Sequence, residues 1–169
     1  MRLIAAGMIV FSCAALGIMK AHGLTELDRM YSSLISALEL IKSEICTSHA
    51  PLDSALSLVM QSSDKSVEPF LGAVISGLSE LGDSSFCDIW TASVQSELTS
   101  LPKSCVQSLV SLGSSLGRYD ADMQKCAIER CSMQLEAARS ELRAAAVASK
   151  RMYVGTGASA GLIIAIIML

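Results

Sequence analysis

The side chains that could do chemistry are few and scattered along the chain. The two histidines, His22 and His49, lie in different sequence contexts, and neither belongs to an HxxxH or HExxH pattern that would place zinc ligands on one helix face. The GxSxG, Walker and dinucleotide-binding patterns are also absent, and the carboxylates lack the paired arrangement that general acid–base catalysis requires. We therefore predict that the protein is not an enzyme and binds no metal or cofactor.

The cysteines do not form a recognisable disulfide or metal framework. Cys13 lies in an apolar segment, and the other five follow neither framework spacing nor the CxxC turn that zinc and redox sites use. We expect these five to be free thiols, buried in the protein and kept reduced in the cytosol. They are Cys46, Cys87, Cys105, Cys126 and Cys131.

The elements that position these side chains are predicted to be helices. Aromatic residues make up only 4% of the chain, and Leu, Ala, Glu, Lys, Gln and Met recur in long runs that favour helix over strand. Two long apolar seams alternate in steps of three and four residues, which is typical of helices that pack along their length. We expect these two helices to pair antiparallel. The first seam is Leu24, Leu27, Tyr31, Leu34, Leu38, Ile41 and Ile45, and the second is Ile128, Cys131, Leu135, Ala138, Leu142, Ala145, Ser149 and Met152.

Four shorter helices are predicted between the two long ones. Each has a recognisable start, because Ser and Asp cap helix N-termini and Pro is tolerated in the first turn. Gly117 is expected to end the fourth of them, Asp120 to cap the last long helix, and Trp90 to be the largest anchor of the core. The four expected starts are Ser48 with Pro51, Ser66 with Pro69, Ser85 with Asp88, and Ser100 with Pro102.

Both ends of the chain are apolar and uncharged over residues 3–19 and 152–169. Lys20 and the pair Lys150-Arg151 stand on the inner side of these segments, so the positive-inside rule favours a hairpin with the intervening domain in the cytoplasm. The predicted organisation is a transmembrane helix at 1–22, a cytoplasmic helical bundle at 23–150 and a transmembrane helix at 151–169. An alternative for the first segment is a cleaved secretory signal. The fold class is thus all-α: a six-helix bundle whose two long antiparallel helices continue into N- and C-terminal transmembrane helices.

Charge is distributed unevenly along the chain. The formal net charge of −3 and a pI near 5.3 argue against a nucleic-acid surface. Between residues 53 and 102 there are seven acidic side chains against one lysine, a net charge of −6, which would steer a basic partner to this part of the molecule. An equally open interpretation is that the acids only keep the domain soluble. The candidate partner surface is Asp64, Glu68, Glu80, Asp83, Asp88 and Glu97.

Two sequence elements and the lone tryptophan resemble a known family. The first element reads E-I-x5-P-L-x2-A, the second reads L-G-x2-L-G-x2-D-x3-Q, and Trp90 lies between them. Together with the apolar termini they resemble the stage III sporulation protein AB family over essentially the whole chain, and neither element is a catalytic motif. The residues concerned are Glu44, Ile45, Pro51, Leu52 and Ala55, then Leu112, Gly113, Leu116, Gly117, Asp120 and Gln124.

The resemblance implies a function as well as a fold. It implies an endospore-forming bacterium, a mother-cell membrane facing the forespore, and membership of the secretion-like assembly that joins the two cells. The family is similar in fold to the cytoplasmic domain of the inner-membrane platform proteins of type II secretion and type IV pilus systems. The implied partners are therefore the sporulation ATPase AA of the same operon, other membrane proteins of the assembly and the lipid bilayer. A different class stays open: an exported, tail-anchored helical sensor or adhesin with a cleaved signal peptide.

Overall fold

Helices account for nearly all of the described chain. The structure, a computed structural model, describes residues 2–48, 52–79, 85–116 and 120–168, and only the backbone at 2–22, 47–48, 53 and 149–168. Within these ranges there are six α-helices and no strand, which confirms the all-α prediction. They are α1 (Arg2–Ser43), α2 (Leu52–Ser62), α3 (Glu68–Ser79), α4 (Phe86–Glu97), α5 (Lys103–Ser115) and α6 (Ala121–Met168), and a π-helical turn at Glu44–Ser48 ends α1.

The chain divides into two compact units. One is Leu27–Ala138, which contains α2 to α5 with the adjoining parts of α1 and α6, and the other is Met1–Glu26 with Arg139–Leu169. Across the described part of the chain, no helix combines the length and sustained apolarity that crossing a bilayer requires. The side chains of the two predicted spans, residues 1–22 and 151–169, lie outside what the structure describes, so these spans stay predictions.

The start of α4 is built as the sequence predicts. The Ser85 hydroxyl accepts a hydrogen bond from the Asp88 backbone N–H at 3.3 Å, and the Asp88 carboxylate accepts one from the Ser85 backbone N–H at 3.3 Å. This reciprocal pair is a capping box, which satisfies two of the N–H groups that a helix N-terminus leaves unpaired.

Two other helix starts differ from the prediction. At α3 the organising residue is Asp64 and not Ser66, because the Asp64 carboxylate accepts from the Ser66 backbone N–H at 3.1 Å and its carbonyl accepts from Val67 N–H at 3.0 Å. At α5 the N-cap position belongs to Pro102, which makes no side-chain capping bond, so the predicted cap Ser100 lies two residues before the N-cap. The predicted turn residues Pro51 and Gly117 lie outside the described residues.

The core of the Leu27–Ala138 unit contains much of both predicted seams. In α1 the seam residues from Tyr31 to Ile45 are buried, while Leu24 and Leu27 are half-buried. In α6, Ile128, Cys131 and Leu135 are buried. The exposure of the seam residues increases beyond Leu135, and Ala145 is exposed. The seam prediction is therefore wrong at Ala145, whereas Ala138 and Leu142 are half-buried and the side chains of Ser149 and Met152 lie outside those described. Antiparallel pairing of α1 with α6 stays a prediction.

Candidate functional site

Trp90 is the largest fully buried side chain among the described residues. Its indole N–H donates a hydrogen bond to the Leu109 carbonyl of α5 at 2.7 Å, so the polar edge of the ring is satisfied inside the core. Phe70 of α3 meets the ring edge-on with centroids 5.1 Å apart, and Phe86 lies at 5.7 Å. Trp90 thus ties α3, α4 and α5 together.

Gly113 provides the space that the indole occupies. A Cβ at this position would lie 2.8 Å from Cγ and 3.0 Å from Nε1 of Trp90, and closer still to Cδ1. Gly113 is one helical turn after Leu109, the residue whose carbonyl receives the indole N–H. Only a residue without a side chain lets α5 approach Trp90 this closely, so the glycine of the second sequence element is explained by a contact with α4.

The remaining residues of the second element form core and turn positions. Leu112 and Leu116 are buried, and the Leu116 N–H donates to the Leu112 carbonyl at 3.0 Å where α5 ends. Asp120 is exposed, and its carbonyl accepts from the Gln124 N–H at 3.0 Å in the first turn of α6. This element builds the packed end of α5 and the start of α6.

The first element joins α1 to α2. Glu44 begins the π-helical turn, Ile45 is buried behind it, and Ala55 is buried in α2, whereas Leu52 is half-buried. Since α2 also packs on the π-helical turn, the small Ala55 and the apolar Ile45 suit a close corner between the two helices.

The structure shows that two acids of the candidate partner surface bind other residues of the protein. Asp64 pairs with Arg29 of α1, with Oδ2 2.8 Å from Nη2, and Asp88 is held in the capping box. Glu68 and Glu97 are exposed, and their side chains make no hydrogen bond or ion pair with any described residue. Glu80 and Asp83 lie outside the described residues. Two of the six predicted partner-surface acids therefore have structural roles of their own.

An open groove between α5 and α6 was not anticipated from the sequence. It has a volume of about 480 Å³, with Leu112 and Cys131 among its lining residues. Besides Gln107 and Leu112, one wall carries small hydroxyl side chains of α5 in steps of four, three and four residues, and the other wall includes Arg130. The spacing of these serines places them on one side of α5, but polar residues at that spacing do not by themselves predict a groove. The serines are Ser104, Ser108, Ser111 and Ser115.

Comparison with known proteins identifies the family. The family model described as stage III sporulation protein AB matches residues 2–169 of the chain. The chain belongs to the stage III sporulation protein AB family. Stage III sporulation protein AB of Bacillus subtilis (strain 168) is 26% identical over 171 residues, which cover 100% of this chain and 99% of that one. A solved structure of stage III sporulation protein AB superposes with a TM-score of 0.64 at 26% identity, covering 72% of this chain and 97% of that one.

The family assignment confirms the resemblance inferred from the two elements and Trp90. It supports a role in sporulation. Within the described residues, His, Cys, Asp and Glu form no group of three that could hold a metal ion. In this member of the stage III AB family, the described residues of the two elements lie in the core and at helix ends, where they stabilise the fold.

Ionic contacts of Asp64 link α1 to the segment between α2 and α3. The Arg29 guanidinium, together with the Ser66 backbone N–H, lowers the pKa of the Asp64 carboxyl below its ordinary value of 3.8. The same contact raises the pKa of Arg29. Because Arg29 is 67% exposed, solvent screens the pair and its contribution to stability is small.

The lowered pKa of Asp64 predicts a pH dependence. A carboxyl group whose pKa is lower in the folded state contributes stability above its unfolded pKa, and this is lost as the pH falls through the folded value. Between about pH 5 and pH 3, wild type should therefore lose more stability than Asp64→Asn. Urea unfolding followed by the fluorescence of Trp90 measures this. Arg29→Gln should flatten the profile in the same direction, and parallel profiles for wild type and Asp64→Asn would contradict the assignment.

The cysteines of this stage III AB family member differ in exposure. Cys105 and Cys131 are buried, as expected, and the Cys105 thiol lies 3.5 Å from the Tyr31 hydroxyl. Burial, with a smaller contribution from Cys105, raises the pKa of Cys131 to about 12. Cys46 and Cys87 are half-buried, but Cys126 is exposed, so the expectation of burial was wrong for that residue.

Thiol alkylation should follow these environments. The thiolate is the reactive form, so Cys131 should react far more slowly than the exposed Cys126 under native conditions near neutral pH. Mass spectrometry of peptides after a timed exposure to iodoacetamide gives both rates in one experiment. In urea the two rates should converge. Equal rates in the native protein would show that Cys131 is accessible and would contradict the packing of α6.

Proposed function

We propose that this member of the stage III AB family is a membrane-anchored platform of the mother cell–forespore secretion-like complex, and that it docks a secretion-type ATPase. In this proposal α1 and α6 pair antiparallel and continue into transmembrane helices at the two termini. The observation that carries the proposal is the continuity of the two helices. Helix α1 begins at Arg2 and α6 ends at Met168, so each helix includes one of the two apolar terminal segments.

The character of the Leu27–Ala138 unit supports a binding role over a catalytic one. Asp88 caps a helix, Asp64 pairs with Arg29, and the thiols of Cys105 and Cys131 are buried in the core. What the unit offers a partner is surface. Glu68 in the first turn of α3 and Glu97 in the last turn of α4 are exposed carboxylates of residues 53–102 whose side chains pair with no described residue.

Charge reversal tests whether these acids contact the ATPase. The double variant Glu68→Lys/Glu97→Lys should lose binding to the purified ATPase at low salt and keep the wild-type melting temperature, because both side chains are exposed. Glu136→Lys is the matched control, since Glu136 is an exposed acid on α6 away from the acidic segment. Wild-type binding by the double variant would remove the acidic surface from the proposal.

Thiol labelling of intact cells tests on which side of the membrane the unit lies. The exposed Cys126 is the reporter, and a membrane-impermeant maleimide should label it only after the cells are permeabilised. A Cys126→Ser variant sets the background. Labelling of Cys126 in intact cells would favour the exported sensor or adhesin over the platform.

A further inference from the structure

The groove between α5 and α6 has walls suited to a helix more than to a small molecule. Small-molecule sites are usually enclosed by apolar and aromatic side chains, but this groove is open, and four of the six α5 residues that line it are serines, beside Gln107 and Leu112. Two of those hydroxyls are already satisfied, since Ser108 donates to the Ser104 carbonyl and Ser111 to the Gln107 carbonyl, each at 2.9 Å. The wall therefore presents small side chains that let another backbone approach closely.

Arg130 is the charged residue of the groove and has no partner. Four arginine side chains are described: Arg29 pairs with Asp64, Arg139 and Arg143 make other interactions, and Arg130 makes no hydrogen bond or ion pair with a described residue. Its neighbours one helical turn away on α6 are all uncharged. They are Cys126, Ala127, Met133 and Gln134. A guanidinium in this position is free to take a carboxylate from outside.

Exposed methionines continue the α6 side of the groove. Met123 and Met133 are 56% and 64% exposed, and with the exposed Cys126 they flank Arg130 in steps of three and four residues along the helix. Methionine is flexible and polarizable, so it adapts to the side chains of a partner. The groove, the unpaired cation and the apolar rim occupy one continuous face of α5 and α6.

We propose that this face binds an amphipathic helix of a partner protein, whose contacting side carries small and apolar residues around one central carboxylate that pairs with Arg130. The complementary charge and the small serine wall select this occupant. The inference goes beyond the docking of an ATPase through the acidic segment, because it gives the unit a second, separate surface with which to bridge two components. Loss of one interaction would leave the other intact.

Peptide binding to the full-length protein in detergent tests the inference. The probes are two helical peptides of about 18 residues, long enough to fold, with an alanine- and leucine-rich face that carries one central Glu or, in the second peptide, Gln. Wild type should bind the Glu peptide about two- to fivefold more tightly, as for an exposed ion pair. Arg130→Gln should abolish this preference, and Ser111→Trp, which fills the groove, should abolish binding of both peptides.

Two matched controls separate binding in the groove from binding to detergent or to any cation. Lys125→Gln removes an exposed cation of α6 that does not line the groove, and Ser114→Trp adds an indole to an exposed position of α5 outside it. Both should bind like wild type. Equal affinity of wild type for the two peptides, no binding of either, or undiminished binding by Ser111→Trp would each overturn the inference. The peptide readout is independent of ATPase binding.

Discussion

Replacing Trp90 by alanine is expected to lower the free energy of unfolding by about 3–5 kcal/mol, the range for deleting a buried aromatic side chain. The variant loses the contacts with Phe70 and Phe86 and leaves the space beside Gly113 empty. Urea unfolding followed by circular dichroism measures the loss. A decrease below about 1 kcal/mol, the size typical of a surface change, would contradict the central place of Trp90.

The same contact predicts a reversal of sign at Gly113. In wild type, Gly113→Ala should destabilise by about 1–3 kcal/mol because the new methyl group overlaps the indole. In a Trp90→Leu background the overlap is gone, so the same substitution should become neutral or stabilise by up to about 1 kcal/mol, the difference in helix propensity between alanine and glycine.

Gly72 is the matched control for this double-mutant cycle. It lies inside α3, and a Cβ built there meets nothing within 4 Å. Gly72→Ala should therefore be neutral or slightly stabilising in both backgrounds. If Gly113→Ala behaved like Gly72→Ala in wild type, the close approach of α5 to Trp90 would be wrong.

A charge in the buried seam of α1 or α6 should lower the stability of the protein more than any other single substitution considered. Leu135 is fully buried and Leu38 of α1 is 2% exposed, so an aspartate at either position would be an unpaired charge inside the core. We expect Leu135→Asp and Leu38→Asp to cost more than about 4 kcal/mol each and to leave little folded protein. Melting temperature and the amount of full-length protein in cells measure this.

Met133→Asp is the control for the seam variants. Met133 lies two residues before Leu135 on the same helix but is 64% exposed, so its replacement should change stability by less than about 0.5 kcal/mol. Similar melting temperatures for Met133→Asp and Leu135→Asp would show that α6 does not face the core as the structure has it.

Local sequence signals predicted the local structure well. The capping box at Ser85 and Asp88 depends on residues three apart, and the α1 seam depends on apolar periodicity over several turns. Both could be inferred from spacing alone. At the start of α3 the spacing predicts Ser66, whereas Asp64 accepts from the Ser66 and Val67 N–H groups and is also held by Arg29, a residue 35 positions away on α1. A contact at that separation leaves no trace in the neighbouring sequence.

The candidate sites were harder to predict for the same reason. The need for glycine at position 113 arises from Trp90 on another helix, and the family elements gave the residue without its cause. A sequence does not show which carboxylates are bound by other side chains. The contacts of Asp64 with Arg29 and of Asp88 with Ser85 separate these two acids from the exposed, unpaired ones. The α5–α6 groove depends on how two helices pack. Spacing predicted the helices but not the surface between them.

Co-purification of the ATPase from sporulating cells is the most direct test of the platform function. Full-length tagged protein, extracted from membranes with mild detergent, should bring down the secretion-type ATPase, while an equally abundant tagged membrane protein from outside the assembly should not. Equal recovery of the ATPase with both proteins would contradict the proposed function. So would recovery with neither protein, provided that the tagged protein still supports sporulation.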